Sequence, residues 1–197
     1  MSVPQKLKER LQFLARVIER EMAHLQSTDQ GLFVSAFTVE NARNLNENTL
    51  VAEKVDAFVS RFGRLQDTVG DKLLPAWREA LGEVPGAMTD NLDRAERLGL
   101  IESADLWLTL RKLRNQMVHE YIEDPAILAD ALQAAHVHVP MLIHASRALL
   151  GDLAGRGIIS GFCLYAPQPR TNRPNPPERR RKLRPGSPRL ALRLPGG

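Results

Sequence analysis

The sequence predicts an all-α protein, an antiparallel bundle of four to five main helices. Proline and glycine are sparse before residue 150, and apolar side chains recur there at steps of three and four residues, the period of helices packed on other helices. No segment alternates apolar and polar residues as a half-buried strand does. The length of 197 residues fits one domain with an appendage.

The first predicted helix starts at about Pro4 and ends at the polar stretch 27–31. Its apolar stripe consists of Leu7, Leu11, Leu14, Ile18, Met22 and Leu25. The next stretch, 32–44, is predicted to be helical at its start and to be broken by the asparagine-rich residues 44–48.

A long helix is predicted next, capped at its start by Asn48 or Thr49. Its apolar stripe has a 4-3-4-3-4 spacing and consists of Val51, Val55, Phe58, Phe62, Leu65 and Val69. Pro75 is expected to kink this helix or to restart it before Gly82.

Two further helices follow a predicted loop over 82–89. The first starts at about Asn91 and ends at Gly99, where a glycine suits a helix C-terminus. Ser103 is then expected to cap a helix over 104–123.

The last predicted helix begins with Asp124 as its cap and Pro125 as its first residue. It is expected to bend at Pro140, to reach Leu150 and to be closed by Gly151.

Composition divides the chain into a helical bundle over 1–151, an unassigned apolar segment over 152–165 and a basic tail over 166–197. The tail holds nine basic residues, one acidic residue and eight of the 13 prolines, so it is expected to be disordered. The remaining residues carry a net charge of −4. The tail is either an arm that attracts nucleic acid through phosphate contacts or a solvated extension without function.

Several classes of protein do not fit this composition. Cys163 is the single cysteine, so neither an internal disulfide nor a cysteine-based zinc site is expected. The sequence has no run of about 18 uninterrupted apolar residues and no signal peptide at its charged start, which predicts a cytoplasmic protein with no membrane partner.

The most informative segment is 111–121, late in a predicted helix. Helical geometry places Arg114 and Tyr121 on one side. Asn115 and His119 are one turn apart on a neighbouring strip, where the amide can orient the imidazole. From spacing alone, the segment fits a basic helix end that complements the helix dipole better than it fits a functional site.

The pattern Arg-Asn-x-x-Val-His-x-Tyr is formed by Arg114, Asn115, Val118, His119 and Tyr121. In a helix of a small bundle it resembles the signature of the HEPN superfamily, and in particular of the HepT-like toxins of HEPN/MNT toxin–antitoxin systems. The resemblance covers roughly the first 150 residues and leaves the tail outside. It implies a dimeric endoribonuclease that needs neither a metal nor another cofactor.

The implied reaction is the attack of a ribose 2′-OH on the adjacent phosphate of an RNA substrate. His119 is the candidate acid or base, because an imidazole titrates close to neutral pH. Arg114 is the candidate clamp for the transition-state charge, and Asn115 a supporting residue. The motif supplies one histidine where two proton transfers are needed, which gives a chemical reason for the homodimer.

The resemblance also implies a partner. In HepT-like toxins the motif tyrosine is modified with AMP by a cognate minimal nucleotidyltransferase (MNT) antitoxin, which makes Tyr121 the candidate modification site. A packed tyrosine with a solvated hydroxyl is the alternative for this residue. For the whole chain, the alternatives are a non-catalytic nucleotide- or partner-binding module that accompanies a nucleotidyltransferase, and a helical interaction protein whose tail alone attracts nucleic acid.

Other polar residues carry weaker signals, and no metal site is expected. The histidines His136, His138 and His144 lack a carboxylate at the spacing of a helical metal site. The acidic residues Asp67, Asp71 and Glu79 fit a solvated helix face. Trp77 and Trp107 are expected to anchor the core or an interface.

Overall fold

A computed structural model describes residues 3–119 and 124–161, with the backbone alone for residues 118 and 119. Within these stretches the chain is helical and contains no strand, which confirms the predicted all-α class. The α-helices are α1 (Gln5–Leu32), α2 (Val39–Arg43), α3 (Thr49–Asp67), α4 (Leu74–Ala80), α5 (Met88–Arg97), α6 (Ala104–His119) and α7 (Pro125–Gly155). The predicted disordered tail lies outside the described residues.

The helix α3 packs antiparallel against the C-terminal part of α1. Thr68, just after α3, donates a hydrogen bond to Glu21 Oε1 at 3.3 Å, and Lys54 Nζ donates to the Gly31 carbonyl at 3.2 Å. Residue numbers therefore rise along α1 as they fall along α3.

The helix α7 also runs antiparallel to α1. His136 Nδ1 lies 2.6 Å from Asp29 Oδ1, and the imidazole is stacked on Phe33 with the ring centres 4.2 Å apart. At the other end of α1, Gln12 pairs in both directions with the backbone of Ser160, at 2.7 and 2.8 Å. The segment after α7 is thereby attached to the first helix.

The core is formed by the predicted apolar stripes. All six residues of the stripe in α1 are buried. In the second stripe, which runs through α3 to Val69 just after it, five of six are buried and Val51 at the helix start is partly buried. Trp77 and Trp107 are fully buried, which confirms their expected role as core anchors.

Several predicted helix ends are confirmed by their caps. The side chains of Asn48, Ser103 and Asp124 accept hydrogen bonds from backbone N–H groups in the first turns of α3, α6 and α7, at 3.2, 3.2 and 2.8 Å. Gly99, just after α5, has φ of +70°, the left-handed conformation that ends many helices.

The polar stretch 27–31, predicted to end the first helix, is itself helical, and α1 ends one residue beyond it at Leu32. Thr28 is buried and its hydroxyl donates to the His24 carbonyl at 2.9 Å, so this polar side chain is satisfied without leaving the helix. The stretch 32–44 is predicted to be helical at its start, and this position is wrong. The chain is helical at the end of that stretch, in α2, where Thr38 forms the N-terminal cap.

The predicted end of the last helix at Gly151 is one turn too early, since α7 reaches Gly155. Leu153 is buried, and Ile159 beyond the helix is buried as well. Burial of these side chains offsets the helix-weakening effect of the glycine. The described part of the unassigned segment, up to residue 161, therefore packs with the bundle.

The long helix predicted before Gly82 is divided by a π-helical turn, Thr68–Leu73, between α3 and α4. Pro75 lies in the first turn of α4, so the predicted restart at this proline is confirmed. Gly70 within the turn allows close packing, because a Cβ there would lie 3.3 Å from the Trp107 indole nitrogen.

By length and composition α7 resembles a membrane span, with a mean hydropathy of 1.4 in its most apolar 18 residues. Of that window, 44% is buried inside the bundle, and a core helix of a soluble protein has the same composition. The helix therefore gives only weak evidence for a membrane location.

Candidate functional site

Arg114 lies on α6 and crosses α3 at Gly63. A Cβ on this glycine would lie 2.8 Å from Arg114 Nε and 3.2 Å from Arg114 Cγ, closer than side chains normally approach. The missing side chain of Gly63 therefore leaves the space that the arginine occupies. Gly63 is in the middle of a helix, where glycine costs about 1 kcal/mol relative to alanine, so close packing gives this position a physical reason.

The guanidinium group of Arg114 has two polar neighbours. Its Nη1 donates to Asn115 Oδ1 at 3.1 Å, and its Nη2 lies 3.5 Å from Asp67 Oδ2. The side chains of Arg114 and Asp67 are each 37% exposed. The ion pair is long and half-exposed, so it holds the arginine only weakly and leaves the guanidinium accessible to a ligand.

An open cleft of about 330 Å³ lies beside Arg114. One wall is formed by side chains at four-residue steps along α3 and the π turn: Ser60, Arg64, Thr68 and Lys72. Val59, Gly63 and Asp67 complete the α3 side of the cleft. Arg114 lines it from α6.

The cleft is basic. Arg64, Lys72 and Arg114 contribute three cations against the single carboxylate of Asp67. Arg64 Nη2 donates to Ser60 Oγ at 3.2 Å, and among the described residues neither Arg64 nor Lys72 has a carboxylate within 4.0 Å. The chain before the tail carries a net charge of −4, so this cleft is a positively charged patch on an acidic part of the protein. Such a patch suits an anionic ligand.

Glu21 of α1 lies behind this wall, where Thr68 donates to its Oε1. Its second oxygen, Oε2, is buried and has no hydrogen-bond partner in the described structure. Burial raises the pKa of the Glu21 carboxyl, while the Thr68 hydrogen bond and the charges of Arg64 and Lys72 act in the opposite direction. The Glu21 carboxylate is therefore close enough to Arg64 and Lys72 to reduce the positive potential that they produce in the cleft.

A second ion pair joins α6 to the π turn that follows α3, about one helical turn from the pair of Arg114 with Asp67. Arg111 Nη1 and Nη2 lie 3.1 and 3.4 Å from the two carboxylate oxygens of Asp71. This hydrogen bonding raises the pKa of Arg111. Asp67 and Asp71, expected on a solvated face, are 37% and 41% exposed and also pair with the arginines of α6. The two pairs show that α6 runs antiparallel to α3.

The other motif residues are described only in part. The backbone of α6 is helical through His119, so Asn115 and His119 lie one turn apart as expected. The His119 side chain and all of Tyr121 lie outside the described residues. The side-chain oxygen of Asn115, expected to serve the imidazole, accepts a hydrogen bond from Arg114.

Comparison of the chain with protein-family models, with curated proteins and with solved structures gives no match. In the part of the chain that the structure describes, no group of three or more histidine, cysteine or carboxylate side chains is arranged to hold a metal ion. Of the three histidines weighed for that role, His136 pairs with Asp29.

The sequence did not indicate Gly63, Asp67, Arg64 or Lys72 as functional residues, although all four line the cleft. The available signal was Gly63, a glycine inside the otherwise regular apolar pattern of a long helix. Such a glycine indicates close approach of another group. The identity of that group, Arg114, depends on which helix packs there.

Proposed function

We propose that this chain is a HEPN-type toxin, a dimeric and metal-independent endoribonuclease of the cytoplasm. The observation that carries the proposal is the placement of Arg114, which lies over Gly63 at the edge of an open basic cleft and is 37% exposed. A guanidinium in this position suits a bidentate contact to phosphate oxygens.

The reaction forms a bond between the ribose 2′ oxygen and phosphorus and breaks the bond between phosphorus and the 5′ oxygen. A base removes the 2′-OH proton and an acid protonates the leaving 5′ oxygen, which leaves a 2′,3′-cyclic phosphate and a 5′-OH. In this proposal His119 moves one of these protons and Arg114 stabilises the charge on the phosphorane. The second histidine comes from the partner subunit of a homodimer.

Silencing is proposed to occur by transfer of AMP to the hydroxyl of Tyr121 by an MNT-type nucleotidyltransferase antitoxin. The added phosphodiester would carry a negative charge seven residues beyond Arg114 and compete with the RNA phosphate for the arginine.

The test is induction of wild type, Arg114→Ala, His119→Ala and Tyr121→Phe in growing cells, with total RNA then examined in EDTA. We expect growth arrest and RNA breakdown with wild type and Tyr121→Phe, and intact RNA with the other two proteins. Full RNA cleavage by soluble Arg114→Ala and His119→Ala would exclude the assigned roles. Intact RNA with soluble wild type would exclude the ribonuclease.

The second candidate is a non-catalytic module that binds a nucleotide or a nucleotidyltransferase partner. It is favoured by the three cations Arg64, Lys72 and Arg114 of the described cleft, which suit a bound phosphate. This candidate predicts nucleotide or partner binding without RNA cleavage.

A further inference from the structure

We propose that the α3 wall of the cleft is a track for the phosphodiester backbone of single-stranded RNA, in which Arg64 and Lys72 each bind a phosphate beside the one at Arg114. The inference rests on the proposed function for the identity of the ligand. It assigns binding to two residues outside the motif and uses the full length of the cleft.

The first argument is the geometry of the wall. Ser60, Arg64, Thr68 and Lys72 follow one another at four-residue steps through α3 and the π turn, and all four line the cleft. The two cations are eight residues apart, at most about 12 Å along the helix axis. A single phosphate does not span such a distance, whereas a chain of phosphodiesters presents a charge at each nucleotide.

The second argument is the state of the two cations. Both side chains are on exposed positions, and no carboxylate among the described residues lies within ion-pair distance of either. By contrast, Arg111 on the neighbouring helix is held by both oxygens of Asp71. A ligand phosphate at Arg64 or Lys72 therefore has no direct ion pair to break.

The third argument is the chemistry of the lining. The described lining of the cleft offers three cations, the hydroxyl of Ser60, the carboxylate of Asp67 and the apolar side chain of Val59. The cations outnumber the carboxylate and suit the phosphates of a backbone. Contacts of this kind bind the backbone and carry little sequence information. Single strands are the substrate because the reaction needs a flexible ribose that aligns its 2′-OH with the leaving oxygen.

The test uses the full chain and a fluorescent 12-nucleotide 2′-O-methyl RNA, which cannot be cleaved because its 2′ oxygens are blocked. Binding is measured by anisotropy over a range of salt concentrations for wild type, Arg64→Gln, Lys72→Gln and the double variant. Arg16→Gln, an exposed arginine of α1 that does not line the cleft, is the matched control for loss of one charge.

We expect each cleft variant to weaken binding about two- to fivefold and to reduce the slope of log K against log salt by about 0.7. The double variant should lose about twice that slope, while Arg16→Gln should match wild type. The basic tail is present in every protein, so its contribution cancels. Wild-type affinity and slope in the double variant would overturn the proposal.

Two further outcomes separate this inference from the proposed function. Probe binding that depends on Arg64 and Lys72, with natural RNA left intact by wild type, supports the track and excludes the ribonuclease. Cleavage that depends on His119, with probe binding unaffected by the cleft variants, supports the ribonuclease and excludes the phosphate track. If ATP binds in a way that depends on the two cations while the RNA probe does not, the backbone assignment is overturned in favour of a free nucleotide.

Discussion

In the proposed ribonuclease, replacing Gly63 by alanine is expected to change the stability by less than about 1 kcal/mol and to slow RNA cleavage. The new Cβ would start 2.8 Å from Arg114 Nε, and an ordinary contact requires about 3.4 Å, so the arginine must move by about 0.6 Å. The contacted atoms Nε and Cγ lie within the side chain, so most of the arginine must shift, and this cost offsets part of the gain in helix stability. Alanine inside a helix gains about 0.5–1 kcal/mol over glycine, which sets the upper limit of the stability gain.

The same movement takes the guanidinium away from its position in the cleft. Misplacement of a catalytic group by 1 Å can cost about 100-fold in rate, so a movement of about 0.6 Å is expected to cost about tenfold. Urea unfolding gives the stability, and cleavage of a labelled RNA under single-turnover conditions gives the rate. Gly31→Ala in α1 is the matched control, since a Cβ there meets nothing within 4 Å.

Two results would refute this reasoning. Cleavage by Gly63→Ala within twofold of wild type, with Arg114→Ala inactive, would show that the glycine does not determine the position of the arginine. A loss of stability greater than about 2 kcal/mol would show that Arg114 does not yield to the new methyl group.

Three further predictions concern charged residues near the cleft and between helices. Asp67→Asn is expected to tighten binding of the 2′-O-methyl RNA about two- to fivefold, because the competing carboxylate is removed, while Asp71→Asn stays within twofold of wild type in the same anisotropy assay. Glu21→Gln should raise the free energy of unfolding at pH 7: the raised pKa of this carboxyl means that wild type loses stability as the pH rises above about 4.5. Equal urea midpoints for the two proteins at pH 4 and a higher one for Glu21→Gln at pH 7 are expected, and parallel pH curves would contradict this. His136→Ala should lower stability by about 1.5–3 kcal/mol, since it leaves the 15%-exposed carboxylate of Asp29 without its partner; an unchanged denaturation curve would disprove it.

The helices and their caps could be predicted because their determinants are local. The spacing of apolar residues in α1 and α3 specifies the buried face of each helix, and both stripes are in the core. The caps at Asn48, Ser103 and Asp124 need only a side chain that reaches the N–H groups of its own helix.

The errors lie where a contact with another helix overrides a local signal. The stretch 27–31 has the composition of a helix end but stays helical to its last residue, and within it Asp29 pairs with His136 of α7, 107 residues away in sequence. Gly151 lies within α7, followed by the buried Leu153. Local propensity is worth about 1 kcal/mol at such positions and is outweighed by burial of a large side chain.

The candidate site was predictable in part for the same reason. Arg114 and Asn115 belong to a short motif within one helix, so the sequence indicates them. Gly63 and Asp67 contribute from another helix, and their relation to Arg114 depends on how α3 and α6 pack. The sequence had indicated only a solvated face for Asp67.

The π turn contains one residue more than an α-helical turn would need, and the packing of the following helix depends on that residue. If the spacing of the apolar stripe continued past Val69, the next buried position would be Lys72. The wider π turn instead buries Leu73 and Leu74 and leaves Lys72 exposed. Deleting one residue here would rotate the following helix by about 100° and turn Trp77 away from its buried position. A single inserted residue in a helix can therefore supply a surface cation while the packing before and after it is kept.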